Sequence, residues 1–145
     1  MSLAAEVKTY RDLRVWQEAM NTARLVHRCT QSFPVEERYG LTNQLRRCAV
    51  SIPSNIAEGF GRRSRRDYAR FLNVAMASLY ELETQLLLAR DFAYLSSEVY
   101  MDVTGQVDHV ESMLAGLIRK IGQARHASPW CLSALVPQCP SALVP

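Results

Sequence analysis

The sequence is poor in turn-forming residues, contains no long hydrophobic run and has no recognisable targeting segment. Glycine and proline are sparse between residues 10 and 124, which favours helices over a turn-rich β fold. No apolar run approaches the roughly 20 residues that a membrane-spanning helix needs. The first residues, MSLAAEVKTYRDL, lack the basic-then-apolar layout of a signal peptide. We therefore expect a cytoplasmic protein without a membrane partner.

Cysteine and histidine are too scattered to indicate a metal or catalytic site. The chain has no CxxC pair, and its three histidines lack convincing ligands at metal-binding spacing. Gly59 and Gly61 lack the preceding strand and the third glycine of a dinucleotide site. The sequence therefore predicts no metal, no cofactor and no enzymatic activity. Four cysteines are predicted to be reduced thiols, with a disulfide as the alternative: Cys29, Cys48, Cys131 and Cys139.

Charge is modest in total but unevenly distributed. The formal net charge is only +3, which is a weak argument for a polyanionic partner. Fifteen of the seventeen basic residues are arginine, and seven of these lie between Arg46 and Arg70. Acidic residues are concentrated later, between Glu81 and Glu111. We expect a molecule with a positive end and a negative side.

Apolar residues recur at three-to-four spacing over four segments, which predicts four amphipathic helices. These helices should cover about residues 12–32, 35–58, 65–90 and 96–121. The expected N-caps are Asp12 for the first helix, Ser64 for the third, and Ser96 or Ser97 for the fourth. Because the connections are short, we predict an all-α, up-down-up-down four-helix bundle. It should occupy residues 10–124, after an N-terminal arm of residues 1–9.

The second predicted helix contains a proline and ends in glycines. Pro53 should remove one hydrogen bond and kink the helix, which we expect to continue on the same face. Gly59 or Gly61 is predicted to end it, because glycine weakens a helix and accepts a positive φ.

The C-terminal tail, residues 125–145, differs from the rest in composition. Residues 127–145 contain no charge, and the sequence SALVP occurs twice in them. Three interpretations are open: a flexible extension, a docking peptide for a groove, or a shifted reading frame.

Two sets of residues are candidates for a subunit interface. The third helix has apolar residues outside its core stripe, among them Met76, Tyr80 and Leu87. They indicate either a deeply placed central helix or a surface buried between subunits. The second helix carries a polar stripe that includes Ser51, Asn55 and Glu58. It is either a solvated face or a hydrogen-bonded seam in which Glu58 pairs with a neighbour's arginine.

The densest charge lies where the second helix ends and the third begins. We predict a phosphate-binding surface there, because guanidinium groups adjoin the positive end of a helix dipole. The alternative is a solvated or interface-pairing loop. Five arginines form the block and two earlier ones are expected to support it: Arg62, Arg63, Arg65, Arg66 and Arg70, with Arg46 and Arg47.

One long stretch resembles a known family. The run QLRRCAVSIPSNIAEGFGR at residues 44–62 is similar to the signature of the four-helix-bundle proteins encoded by intervening sequences in 23S ribosomal RNA genes. Matching residues continue through Ser64 and Phe71 to Gln85, and YRDLRVW at residues 10–16 resembles the family's opening. The likeness covers about residues 10–124 and leaves out the tail.

The resemblance implies a four-helix bundle that assembles into a ring-like homopentamer without enzymatic activity. The family is similar to the accessory protein of diversity-generating retroelements, which binds a reverse transcriptase and is thought to contact nucleic acid. Two hypotheses follow. The first is a non-catalytic homo-oligomer that binds nucleic acid, with RNA as the expected ligand, through phosphate contacts of its arginine cluster. The second is a protein-interaction adaptor, for example an accessory subunit of a reverse transcriptase.

Overall fold

A computed structural model of the chain describes residues 7–123, which form four α-helices joined by short connections. The helices are α1 (Arg14–Cys29), α2 (Leu41–Phe60), α3 (Arg65–Asp91) and α4 (Ser97–Gln123). No strand occurs within residues 7–123. The prediction of an all-α four-helix bundle is confirmed. The predictions for residues 1–6 and for the tail, including Cys131 and Cys139, lie outside the described residues.

Consecutive helices run antiparallel, because each connection is short. Side-chain hydrogen bonds join helices along the bundle at Thr30–Arg46, Ser51–Ser78, Tyr80–Glu111 and Glu18–Gln106. With this topology, α1 begins, α2 ends, α3 begins and α4 ends at one end of the molecule. We call it the junction end.

The core is filled by aliphatic side chains from all four helices. Each helix contributes residues at three-to-four spacing, as its amphipathic pattern predicts. The largest side chains with no appreciable exposure include Val26, Leu45, Ile52, Ile56, Leu72, Leu79, Leu82, Leu86, Val107, Val110 and Leu114. None of the helices within residues 7–123 is long and apolar enough to cross a membrane.

Two helix starts differ from the prediction. Asp12 does not cap α1: its carboxylate accepts hydrogen bonds from the backbone N–H groups of Lys8 and Thr9 in a preceding 3-10 turn. The second helix begins at Leu41 and not at Val35, because residues 35–39 form a 3-10 helix. The Glu37 carboxylate accepts a hydrogen bond from the N–H of Leu41 at 2.9 Å and so satisfies a donor at the true start of α2.

The other predicted caps agree with the structure. The hydroxyl of Ser64 accepts a hydrogen bond from the N–H of Asp67 at 3.0 Å, which caps α3. The hydroxyl of Ser96, and not that of Ser97, accepts one from the N–H of Val99 at 3.3 Å at the start of α4.

The end of α2 has a different cause from the one predicted. α2 is a single helix that contains Pro53, and the kink there stays a prediction. Gly61 has a φ of −74°, so no positive φ ends the helix. Gly59 is needed for close packing: a Cβ at this position would lie 2.9 Å from the Cβ of Phe71 and 2.9 Å from the Tyr68 ring. The missing side chain lets α3 approach α2.

Candidate nucleic-acid interface

The five arginines of the predicted block all lie exposed at the junction end. Arg62 and Arg63 belong to the link between α2 and α3, and Arg65, Arg66 and Arg70 to the first turns of α3. The structure therefore brings these five residues together on one end of the bundle.

Acidic residues offset only part of this charge. The Arg62 guanidinium donates to Glu58 at 2.6 Å. The carboxylate of Asp67 accepts a hydrogen bond from the Ser64 hydroxyl at 2.8 Å. The side chains of Arg63 and Arg66 make no ion pair or hydrogen bond with another residue of 7–123. The junction end therefore keeps an excess of positive charge that faces solvent.

An aromatic side chain supports two of the arginines. The Cζ atom of Arg62 lies 4.6 Å from the centre of the Phe71 ring, and that of Arg70 lies 5.1 Å from it. Both distances fall within the range of cation–π attraction. Phe71 is only half-buried and packs where Gly59 leaves room. These arginines are consequently held over a fixed ring.

The fold adds basic residues that the sequence reasoning missed. Arg11 and Arg14 lie at the start of the chain's helical part, and Arg119 and Lys120 lie in the last turns of α4. All four are exposed, and the antiparallel topology places them at the junction end. The predicted up-down-up-down order already contained this information, because it puts the first helix's start and the fourth helix's end beside the α2–α3 link.

Arg46 and Arg47 are not part of this surface. Sixteen residues separate Arg46 from Arg62, which is roughly 24 Å along a helix axis. The Nε of Arg46 donates to the hydroxyl of Thr30 at 2.9 Å. Arg47 lines a groove between α2 and α3. A supporting role for these two residues would therefore need a ligand that extends along the bundle.

The polar stripe of α2 forms hydrogen bonds within its own chain. The hydroxyl groups of Ser51 and Ser78 lie 2.8 Å apart, and the Asn55 amide donates to the Ser51 hydroxyl at 3.0 Å. Glu58 pairs with Arg62 of the same chain. The sequence pattern identified the stripe, but not its partners on α3. A subunit interface at Ser51, Asn55 and Glu58 stays a prediction.

The apolar residues outside the core stripe of α3 mostly face solvent. Tyr80 is 49% exposed and Leu87 is 40% exposed, while Met76 is half-buried and packs against the core. Val74 and Leu88 are exposed as well. The alternative of a deeply placed central helix is therefore wrong. The subunit-interface interpretation stays a prediction.

An acidic cluster lies where α3 faces α4. Glu83, Asp108 and Glu111 each bring a carboxylate oxygen to within 4.8 Å of the others. The Tyr80 hydroxyl donates to Glu111 at 3.1 Å. These carboxylates are the group within residues 7–123 that could hold a cation, although such groups are also common without one. The short distances between the three carboxylates more directly imply that their negative charges repel one another.

Glu83→Gln is expected to raise the melting temperature at neutral pH. Partial burial and the neighbouring Glu111 and Asp108 raise the pKa of Glu83 above its ordinary value of 4.5. The folded state therefore binds this proton more readily than the unfolded state. Stability falls as pH rises from 4.5 through the raised pKa, and the full penalty applies above it. Thermal melts between pH 4 and 8 should show a higher melting temperature for the variant than for the unmodified protein at neutral pH, and no difference near pH 4.

Glu98→Gln is the matched control for this change. Glu98 lies in the first turn of α4, where a negative charge is favourable. Its neutralisation should leave the melting temperature unchanged or slightly lower. An equal gain for both variants would show that the total charge, and not the cluster, governs the effect.

The chain is similar in sequence to a protein family and in fold to a solved structure. Residues 11–116 match a family model described as 23S rRNA-intervening sequence protein. No curated protein matches the chain. A similar solved structure is that of a protein of unknown function from the S23 ribosomal protein family of Bacteroides thetaiotaomicron. It has a TM-score of 0.67 and 24% identity over 72% of this chain and 95% of that chain. At that identity the likeness shows the fold.

Proposed function

This chain belongs to the 23S rRNA-intervening sequence protein family, and from that premise we infer a non-catalytic homo-oligomer that binds RNA at its junction end. The observation that carries the proposal is the group of five exposed arginines, of which Arg63 and Arg66 have no carboxylate partner within residues 7–123. The proposed contacts are with phosphate groups.

Guanidinium chemistry supports phosphate binding. Arginine offers several donors in a fork that matches two phosphate oxygens, and it keeps its charge at every physiological pH. Contacts of this kind fix a nucleic acid in place but do not read its sequence. We propose binding without sequence specificity, because the proposed contacts are with phosphate groups and not with base edges.

Self-association would strengthen the binding. The exposed Val74, Tyr80, Leu87 and Leu88 on α3 supply apolar area that a second copy could cover. In a ring, such as the homopentamer implied by the family resemblance, each subunit would present its own arginines. Several weak contacts would then combine into a high avidity.

The same exposed residues support an alternative function. An adaptor would use the apolar side of α3 to hold a partner protein, for example a reverse transcriptase, and the arginines would serve only solubility or pairing. This alternative predicts that the protein alone binds no RNA, so that no binding signal would depend on ionic strength.

A salt titration distinguishes the two functions. If each subunit engages about four phosphates, a plot of log K against log salt concentration should have a slope of about −3 to −4. Fluorescence anisotropy with a structured RNA at 50–300 mM KCl measures the slope. A missing or salt-insensitive signal would reject phosphate binding and favour the adaptor.

A further inference from the structure

Two of the five arginines at the junction end are fixed in orientation. Arg62 and Arg70 both lie over the ring of Phe71, and Arg62 is also held by Glu58. Arg63 and Arg66 have neither an aromatic neighbour nor a carboxylate partner within residues 7–123. The cluster therefore contains two kinds of arginine, one held by neighbouring side chains and one exposed without such contacts.

The two kinds suit different ligand groups. An arginine without a partner can reorient to follow a phosphate. The Arg62 guanidinium is held by Phe71 and Glu58, and 43% of the Arg62 side chain is still exposed. Unpaired bases stack on such guanidinium planes. A fixed plane also loses little conformational entropy when a base binds to it.

We propose that the junction end binds single-stranded RNA, with one unpaired base stacked on the exposed guanidinium group of Arg62, which Phe71 and Glu58 hold in place. Arg63 and Arg66 bind the phosphates on either side of that base. This inference rests on the proposed function and narrows its ligand from RNA in general to single strands. Bases in a duplex are already stacked on their neighbours, so a double-stranded ligand would leave the platform unused.

Phe71 acts as a positioning residue in this arrangement. It is absent from the hydrophobic core cluster, and its Cβ lies against Gly59 at the end of α2. Its ring lies within cation–π distance of both guanidinium groups. Its contribution is to hold the two guanidinium groups beside one another.

The test removes the planar guanidinium groups and keeps their positive charges. Arg62→Lys with Arg70→Lys retains both positive charges but removes both planar groups. The matched control is Arg24→Lys with Arg28→Lys, at two exposed arginines away from the α2–α3 link. Anisotropy would be measured with a labelled 12-nucleotide oligouridylate and with a 12-base-pair RNA duplex at the same salt concentration.

The Arg62/Arg70 variant should bind the oligouridylate about tenfold more weakly, which is the usual effect of losing one stacked base. Its affinity for the duplex and its salt slope should not change. The Arg24/Arg28 control should leave both affinities unchanged. Phe71→Leu, which alters no charge, should reproduce the selective loss, and circular dichroism melts would verify its fold.

The results separate this inference from the function beneath it. Equal losses on the single strand and the duplex, or no loss on either, would overturn the stacking platform while leaving phosphate binding intact. If the unmodified protein bound neither RNA, the proposed function itself would fail.

Discussion

A variant with glutamate at positions 62, 63, 65 and 66 is expected to lose RNA binding while it keeps its helical content. Reversing four exposed charges replaces attraction to phosphate by repulsion, so the affinity should fall by roughly a hundredfold or more. The cost to stability should be small. Arg62→Glu places two exposed like charges at positions 58 and 62, at a cost of about 0.5 kcal/mol, and loses a contact with Phe71 of about 0.5–1 kcal/mol.

The control for this variant reverses four arginines at the opposite end. Arg24, Arg28, Arg38 and Arg90 are exposed and lie away from the α2–α3 link, so their reversal changes the net charge equally. Retention of RNA by this control, together with its loss in the first variant, would locate the binding surface. Filter-binding measurements and circular dichroism provide the two readings. Unchanged retention by the first variant would reject the junction end as the RNA-binding surface.

Gly59→Ala is expected to destabilise the protein by about 1 kcal/mol, although glycine-to-alanine changes inside helices normally stabilise by about 1 kcal/mol. The added Cβ would lie 2.9 Å from the Cβ of Phe71 and 3.3 Å from the Tyr68 carbonyl oxygen. Neither atom can move without shifting α3, and overpacking of this kind costs about 1–3 kcal/mol, which outweighs the helix-propensity gain. Urea denaturation measures the change. The displaced Phe71 should also weaken the binding of single-stranded RNA.

Gly105→Ala is the control for Gly59→Ala, and we expect it to change the stability in the opposite direction. Gly105 lies inside α4, is exposed, and has no atom within 4 Å of an added Cβ. Its replacement should stabilise the protein by about 0.5–1 kcal/mol. If both variants were stabilised, the close approach of α2 and α3 at Gly59 would have to be relaxed in solution.

The fold could be predicted from the sequence because apolar spacing sets which face of each helix is buried. The helix starts were harder to predict. Asp12 looked like a cap for α1, but its carboxylate bonds to Lys8 and Thr9 in the preceding turn. Glu37 was placed inside the second helix, yet it caps that helix from outside. Both positions are decided by competition between local hydrogen bonds of similar strength.

Only part of the candidate site could be predicted from the sequence. The arginines of the α2–α3 link are neighbours in sequence, so their crowding needed no structure. Arg119 belongs to the same end through topology, and the rings of Phe71 and Tyr68 were not distinguishable from core residues by spacing. Arg46 shared the sequence neighbourhood but faces Thr30. The clustering of arginines along the sequence indicated the positive charge. The three-dimensional fold determines which basic residues belong to the same surface.

The exposed apolar residues of α3 extend away from the arginines along the helix. Val74 lies one turn beyond Arg70, whereas Leu87 follows Arg70 by seventeen residues, or roughly 26 Å along α3. A nucleic acid that binds at the junction end therefore leaves the flank around Leu87 uncovered. In the proposed homo-oligomer, neighbouring copies would pack side by side through that flank with their junction ends pointing the same way. Such a row would turn isolated contacts into a continuous track for a polyanion.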